Sequence, residues 1–484
     1  MEVPSARLFV TGAVVTLGGS FHFGYSLSLI NPTVEIFENF LNRSMHDHYG
    51  WRLNNIASRF LWSTIAGFLL LGAAVGAVII MPAIIDKYGR KMGLIISSIV
   101  LAISFPISGL SKLPDYIEMF AAGRLLCGIG VGMAMGCQAV YLTEISPVKY
   151  RGFVGMMIGC AVEIGFTCGN FFGLPYLLGT EDRWPYMLYV ELIPTFILLV
   201  FLITAKETPN FLLIKSNTKA ALESLIYYHG AETDTATTMK MIEEDVHMQE
   251  SQLSIWQVWR ERPVRNAAIL SMLINVAVSF SGIMAISYFG VFLLETIGFD
   301  NNTASLANAG AGAFSILSSV AGTFLVEKTG RKKLVMFSMI GLTVLDTLMM
   351  VLVIVFDATK ATILGYFFIV FLASFLFVFG CGIGCIAWFL GSELAPQHAR
   401  SSVQSLGISA QYIGSFISPV IYFPLESLVG PYSFLLFIIP LILITIYFYF
   451  YLPETKNREI RDIMADLGGT EKQFSAAAVR PVEL

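Results

Sequence analysis

Asp86-Lys87-Tyr88-Gly89-Arg90-Lys91 lies between two long apolar runs, and 241 residues later the chain repeats it as Glu327-Lys328-Thr329-Gly330-Arg331-Lys332. A second pair keeps nearly the same interval. Glu144-Ile145-Ser146-Pro147 with Arg151 returns 249 residues on as Glu393-Leu394-Ala395-Pro396 with Arg400. In both copies an acid, a proline and an arginine stand at offsets 0, 3 and 7. Two signatures recurring at almost one period mark a duplicated unit.

The surroundings say what the unit is. Of 484 residues, 56% are hydrophobic and 13% charged, with mean hydropathy +0.71; a soluble domain carries about twice that charge fraction. Apolar stretches of about 20 residues, enough to cross about 30 Å of hydrocarbon, recur from end to end. They do not alternate in polarity as barrel strands do. Helices are therefore expected, because they satisfy their own backbone hydrogen bonds in lipid. The reading places spans at 8–31, 60–82, 92–111, 116–141, 153–175, 184–204, 264–294, 305–326, 334–356, 363–392, 401–424 and 429–451. The apolar run from Leu8 is taken as a retained first span.

The result is an all-α membrane protein of twelve helices in two pseudo-symmetric halves. One six-helix bundle covers 1–205 and the other 264–452, joined by a cytoplasmic helical linker, 206–263, and followed by a polar tail, 453–484. With the N-terminus inside, the inner segments hold 23 Lys and Arg against 6 outside. This is the asymmetry that orients membrane proteins, and it puts both termini in the cytoplasm. Two sequons, at Asn42 and Asn301, then fall outside, as glycosylation in a plasma-membrane protein requires.

Parallel halves related by an axis along the membrane normal suit transport by rocking about a central site. In that reading Glu144, Arg151, Glu393 and Arg400 form an inner gate with Asp86, Arg90, Glu327 and Arg331, held shut by ion pairs across the halves. Glycines at 72 and 76, and at 128, 132 and 136, have the four-residue spacing of close helix contact. They are not a nucleotide loop. The six cysteines all lie in or beside apolar runs and read as small buried hydrophobes. A net charge of −4 without a continuous basic patch excludes nucleic acid as a partner. No metal-ligand cluster, nucleophile elbow or dinucleotide fingerprint is present, so neither an enzyme nor a cofactor is expected. Membrane lipid and a small solute are the expected partners; the chain is expected to work as a monomer, with its oligomeric state left open.

These motifs resemble the sugar porter family of the major facilitator superfamily, the family of the animal facilitative glucose transporters, over about residues 8–458. Gly24-Tyr25 with Ile30-Asn31-Pro32 is similar to the family's first span, and the two Gly-Arg-Lys loops to its paired inner hairpins. Gly123-Arg124 with Tyr141, Glu144, Pro147 and Arg151 resembles its fourth-span motif, and Glu207-Thr208-Pro209 the box after span six. Ser281-Gly282-Ile283 is similar to its seventh-span core, Trp388, Glu393 and Arg400 to its tenth-span motif, and Pro453-Glu454-Thr455-Lys456 to its closing signature. The resemblance implies a hexose or sugar-like solute carried by alternating access, with Glu207 and Glu454 joining the inner gate.

It also exposes a depleted pocket. Gly159, Val278, Ser279, Met284 and Ser315 stand where the family has amides, Gly380 where it has a glutamate, and Gln411-Tyr412 where it has Asn-Trp. Asn31, Tyr288, Phe379, Trp388, Gln411 and Tyr412 remain as cavity residues. Glu163, one turn beyond Gly159, can restore polarity, bind a cationic group or carry a proton. Ser26 replaces the aspartate that proton-coupled relatives carry after Phe-Gly-Tyr, which favours uniport. Polyols or other organic solutes, proton coupling through Glu163, and a non-transporting nutrient sensor on the same fold are the alternatives.

Overall fold

The computed structural model describes residues 6–147, 151–230, 235–249, 253–396, 398–456, 458 and 460–468, and among them every regular element is helical. Ten helical runs are long and apolar enough to cross a membrane. One of them, Arg400–Tyr451, is broken at Gly430, whose φ of +57° few other residues adopt, and supplies two crossings. Helix Arg151–Phe172 supplies one more. The total is twelve.

Span one consists of α1 (Ala6–Leu17), α2 (Ser20–Ser28) and α3 (Val34–Tyr49), linked by a 3₁₀ turn at Asn31–Thr33. It runs well past the expected end at residue 31, because Pro32 opens a new helical turn instead of ending the helix. Span two is α4 (Asn55–Val75), a π turn at Gly76–Ile80, and α5 (Met81–Tyr88). Spans three to five are α6 (Arg90–Leu110), α7 (Ile117–Ile145) and α8 (Arg151–Phe172), and span six is α9 (Trp184–Val190) with α10 (Leu192–Thr204). The linker carries α11 (Pro209–Ile214), α12 (Thr218–His229) and α13 (Thr235–Gln249). Span seven is split into α14 (Arg262–Ser279) and α15 (Ile283–Thr296), the break occupied by Gly282 at φ +91°. Spans eight and nine are α16 (Asn301–Thr329) and α17 (Arg331–Thr359), and span ten is α18 (Ile363–Cys381) with α19 (Ile383–Leu394). Spans eleven and twelve are α20 (Arg400–Val429) and α21 (Leu435–Tyr451), followed by α22 (Ile460–Asp466).

Lipid cannot drive helices together hydrophobically, so close packing of small residues does it. A Cβ on Gly128 would lie 2.1 Å from the Leu69 carbonyl oxygen, one on Gly132 2.1 Å from that of Ala73, and one on Gly72 2.2 Å from that of Leu125. Spans two and four thus touch backbone to backbone along the face that the glycine spacing marks. Spans one and five do likewise at Gly24, where a Cβ would come 1.9 Å from the Val162 carbonyl oxygen. The two halves meet along spans two and eleven, five and eight, and one and seven. Below the first half, Tyr228 of α12 docks the linker: its hydroxyl lies 2.7 Å from that of Tyr141 and donates to the Lys206 carbonyl at 2.8 Å.

Gly132→Val is expected to abolish the folded protein or lower its melting temperature severely, because backbone, not a movable side chain, occupies the space. Gly159→Ala, where nothing lies within 4 Å of the added methyl, should change stability by no more than about 0.5 kcal/mol. Thermal melts of the two purified variants against wild type check both.

Candidate solute pathway and its gates

At the end of the molecule that carries the two repeated hairpins, the duplicated motifs build the same device twice. In the first half Arg90, at the start of α6, bonds Glu144 at the end of α7: Nη2 donates to Oε1 at 2.7 Å and Nε at 3.2 Å. The other oxygen of Glu144 accepts from the Thr208 hydroxyl at 2.6 Å. Glu207 accepts from the Lys91 backbone N–H at 3.1 and 3.0 Å, neutralising the exposed N-terminus of α6. In the second half Arg331 gives Nη2 to Glu393 Oε1 at 2.9 Å and Nε to Oε2 at 3.0 Å, and the Thr455 hydroxyl donates to Oε2 at 2.6 Å. Glu454 accepts from the backbone N–H of Arg331 at 2.8 Å and of Lys332 at 3.2 Å. Each motif glycine now has its reason. Gly89 and Gly330 hold φ of +97° and +93°, and a Cβ there would come 2.3 Å from Glu207 Oε2 and 2.6 Å from Glu454 Oε2.

The Arg90–Glu144 and Arg331–Glu393 pairs lie inside the bundles. They join residues within a half, not across the halves, because each acid faces the arginine of the neighbouring hairpin in its own bundle. Among the described residues no ion pair at this end bridges the halves. Asp86 and Arg400 are exposed, and the side chains of Arg151 and Glu327 lie outside the described residues. Burial pushes the Glu207 carboxyl above its ordinary range, partly offset by the N–H groups of Thr208 and Lys91.

Among the described residues, the ion pair that crosses the seam sits at the opposite end. Arg59 of α4 bonds Glu426 of α20 and donates to the Ser427 hydroxyl at 2.6 Å. Its guanidinium lies 4.8 Å from the ring centres of both Phe292 and Phe423, an arrangement that favours a cation shielded from water. Deeper in, Asn31 grips span seven: its Nδ2 donates to the Ile286 carbonyl at 3.0 Å, and its Oδ1 accepts from the Val291 N–H at 2.9 Å. Asn308 of span eight donates to Asn170 of span five at 2.8 Å. These contacts hold the two halves together toward the far end. The sequence held no repeated motif there to announce it.

Between the two ends the cavity residues divide into occupied and available. Asn31 is spent on α15, and Ser315 donates to Glu163 across the seam. Ser279 lies 2.9 Å from the Gln411 carbonyl and 3.0 Å from the Ser415 hydroxyl, turned toward span eleven. Met284 is buried, Tyr412 packs edge-on against Phe23 across the seam, and Phe379 stacks on Phe375. Trp388 is half-buried and Gly159 exposed. Gln411 Oε1 and the Tyr288 hydroxyl are buried without a protein partner, although native interiors pair nearly all such atoms. Tyr288, within electrostatic reach of Arg124, looks across at the first half.

A second buried network joins His22, Arg124 and Glu191, residues that no sequence motif links. His22 Nδ1 lies 3.0 Å from Glu191 Oε2, and Nε2 lies 2.9 Å from the Thr195 hydroxyl. The same hydroxyl lies within donating distance of the Glu191 carbonyl, at 2.9 Å. Imidazole, carboxyl and hydroxyl thus form one buried hydrogen-bond chain. Ser26 donates to both oxygens of Glu191 at 2.9 Å, and Arg124 donates to the Ser26 carbonyl at 2.7 Å. The sequons differ in setting. Asn42 lies inside α3, with its Ser44 fully buried, whereas Asn301 begins α16 half-exposed and donates to Glu295 at 2.7 Å.

Charge exchange tests the pairing. Arg90→Glu should destabilise the protein by about 3 kcal/mol by stranding a nearly buried acid. Adding Glu144→Arg should restore part of the loss, and adding Glu393→Arg instead should restore none. Melting temperatures of the three proteins check this; rescue by Glu393→Arg would place the pair across the halves.

Comparison with known proteins agrees with this architecture. The family described as sugar (and other) transporter matches residues 11–467. The chain is 28% identical over 466 residues to facilitated glucose transporter member 3 of Mus musculus, covering 95% of this chain and 92% of that one. It is 27% identical over 463 residues to member 1 of Gallus gallus, covering 95% and 93%. Among solved structures, the proton:xylose symporter XylE bound to 6-bromo-6-deoxy-D-glucose aligns with TM-score 0.77 at 21% identity, over 96% of this chain and 99% of that one. The inward open conformation of XylE from E. coli aligns equally well, over 95% and 99%. The fold is the major facilitator fold, and by the span of the family match this chain belongs to the sugar transporter family of multi-pass membrane proteins.

Proposed function

We propose that the protein is a facilitative carrier of a hexose or similarly hydroxylated solute, working by alternating access, with the hairpin end in the cytoplasm and the far end facing outward at the plasma membrane. The observation that carries the reading is the pairing state of the central polar atoms. A sugar surrenders water hydrogen bonds on entry, and each buried polar group left unsatisfied costs about 1–3 kcal/mol. Gln411 Oε1 can accept and the Tyr288 hydroxyl can donate or accept, while Glu163 lies at the seam with span eight. Half-buried Trp388 and Phe379 supply apolar faces for the ring. With Asn31, Ser279 and Ser315 engaged elsewhere, the site holds a solute by fewer polar contacts than the family pattern implies. Weak affinity, or a polyol-like solute, suits it.

The charge asymmetry supports the orientation. The hairpin clusters, Arg90–Glu144–Thr208 and Arg331–Glu393–Thr455, serve as the inner gate by stiffening each half, so that the halves move as bodies. Uniport follows from the absence of an acid at position 26. The buried contact between His22 and Glu191 favours a second reading, in which a proton gradient drives uptake; Glu163 is its other candidate. A sensor would bind solute without carrying it.

Labelled D-glucose uptake into proteoliposomes should be saturable, stereoselective and slow at millimolar sugar, and Tyr288→Phe with Gln411→Leu should reduce it at least tenfold. An imposed pH gradient should leave the end-point of uptake unchanged. Accumulation above equilibrium that disappears in His22→Phe or Glu163→Gln would establish coupling instead, and saturable binding with no flux would establish a sensor.

A further inference from the structure

Span nine carries one ionisable group at its midpoint. Asp346 is 1% exposed, and neither carboxyl oxygen has a protein hydrogen-bond partner. It is aimed at the break in span seven: a methyl group on Gly282 would sit 3.1 Å from its Oδ1, with the rings of Phe437 and Phe375 at 3.5 and 3.6 Å. The other titratable group near it is the Tyr422 hydroxyl of span eleven. Beyond Tyr422, Glu426 and Arg59 neutralise each other. From spans eight, ten and twelve, and from the turn at Gly430–Phe434, no charged side chain of the described residues acts on Asp346.

The break is also a helix start. Gly282 is the N-cap of α15 and offers no side chain to cap it. The Met284 and Ala285 N–H groups of the first turn bond to no carbonyl, as the first amides of a helix generally do not. The same helix is the one that Asn31 of the first half holds by its Ile286 carbonyl and Val291 N–H. Movement of one half against the other therefore pulls on α15, and α15 begins against Asp346.

The geometry points to Asp346 as a proton-binding site coupled to the seventh-span hinge. In the conformation with the far end sealed, an ionised carboxylate would face aromatic rings without a partner or counter-charge, so the neutral acid is the form that fits. A metal ion is a poor alternative, since one carboxyl among phenyl rings does not supply the oxygen shell a hard cation needs. When Asn31 releases α15, a small shift brings the free first-turn N–H groups onto Asp346, where they and the helix dipole stabilise the carboxylate. The acid O–H bond breaks, its electron pair stays on the carboxylate, and the proton passes to water entering the opened half. The sign follows: protons favour the sealed far end, and raising the pH favours its opening. A proton taken and returned on the same side alters the balance of conformers without driving accumulation, so the site is compatible with uniport.

Two measurements on the full-length protein test this without requiring a known solute. Infrared difference spectra should show a protonated-carboxyl carbonyl band in wild type at neutral pH that is lost in Asp346→Asn. Should that variant fail to fold, Asp346→Glu should shift the band. A band identical in wild type and variant would overturn the assignment. Spin labels at Trp51→Cys and Tyr432→Cys, exposed at the far ends of opposite halves, in a background with the native cysteines replaced by alanine, report opening as an interlabel distance. Raising the pH from about 6 to about 9 should enlarge the long-distance population several-fold, with Asp346→Asn held at its low-pH distribution. The same pH response in both proteins would sever Asp346 from the hinge.

Discussion

Hydrocarbon offers no hydrogen bonds, so every polar atom at the seam between the two halves must find a partner in the protein, in water or in a solute. The rest of the structure is arranged around that constraint. Backbone polarity is consumed within helices, and glycine faces weld spans two to four and one to five so that each half has little freedom inside itself. What remains adjustable is the seam. It is fastened by a few groups: Arg59 with Glu426, Asn31 with α15, Asn170 with Asn308, and Glu163 with Ser315. A handful of bonds of about 1 kcal/mol each is the right scale for a switch between two conformers of similar energy.

The duplicated hairpins make a different contribution. Glu207 and Glu454 cap helix starts, while Thr208 and Thr455 orient Glu144 and Glu393 toward Arg90 and Arg331. The same four-part contact in both halves ties together three segments distant in the chain. It ties the hairpin end of each bundle together within its own half and, among the described residues, makes no ion pair across the seam.

Much of this was legible in the amino-acid order. Twelve crossings, two halves and the glycine faces follow from local composition and spacing, and local signals survive folding. Pairing did not. Glu144 and Arg90 stand 54 positions apart and His22 and Glu191 169 apart, and nothing in a linear pattern distinguishes a partner in the same bundle from one across the seam. The cavity was half readable for the same reason. Asn31, Ser279 and Ser315 have the chemistry of solute contacts, but neighbouring helices claim that chemistry first, whereas Gln411 and Tyr288 keep theirs. The Arg59–Glu426 latch was invisible, because a lone arginine near one loop and a lone glutamate near another repeat nothing.

The central claim is that Arg59 and Glu426 latch the two halves at the far end, and we propose that the seam beside Glu163 is reached from the hairpin end. Cys160, half-buried beside Glu163 in span five, is a native reporter of that access. Sealed, oriented vesicles treated with a membrane-impermeant maleimide from either side, with the adduct located by peptide mass, measure it directly. The account predicts that Cys160 is modified from the hairpin side in wild type, and becomes reachable from the far side when Arg59→Ala removes the latch. Equal modification from both sides in wild type would describe a continuous pore and contradict it.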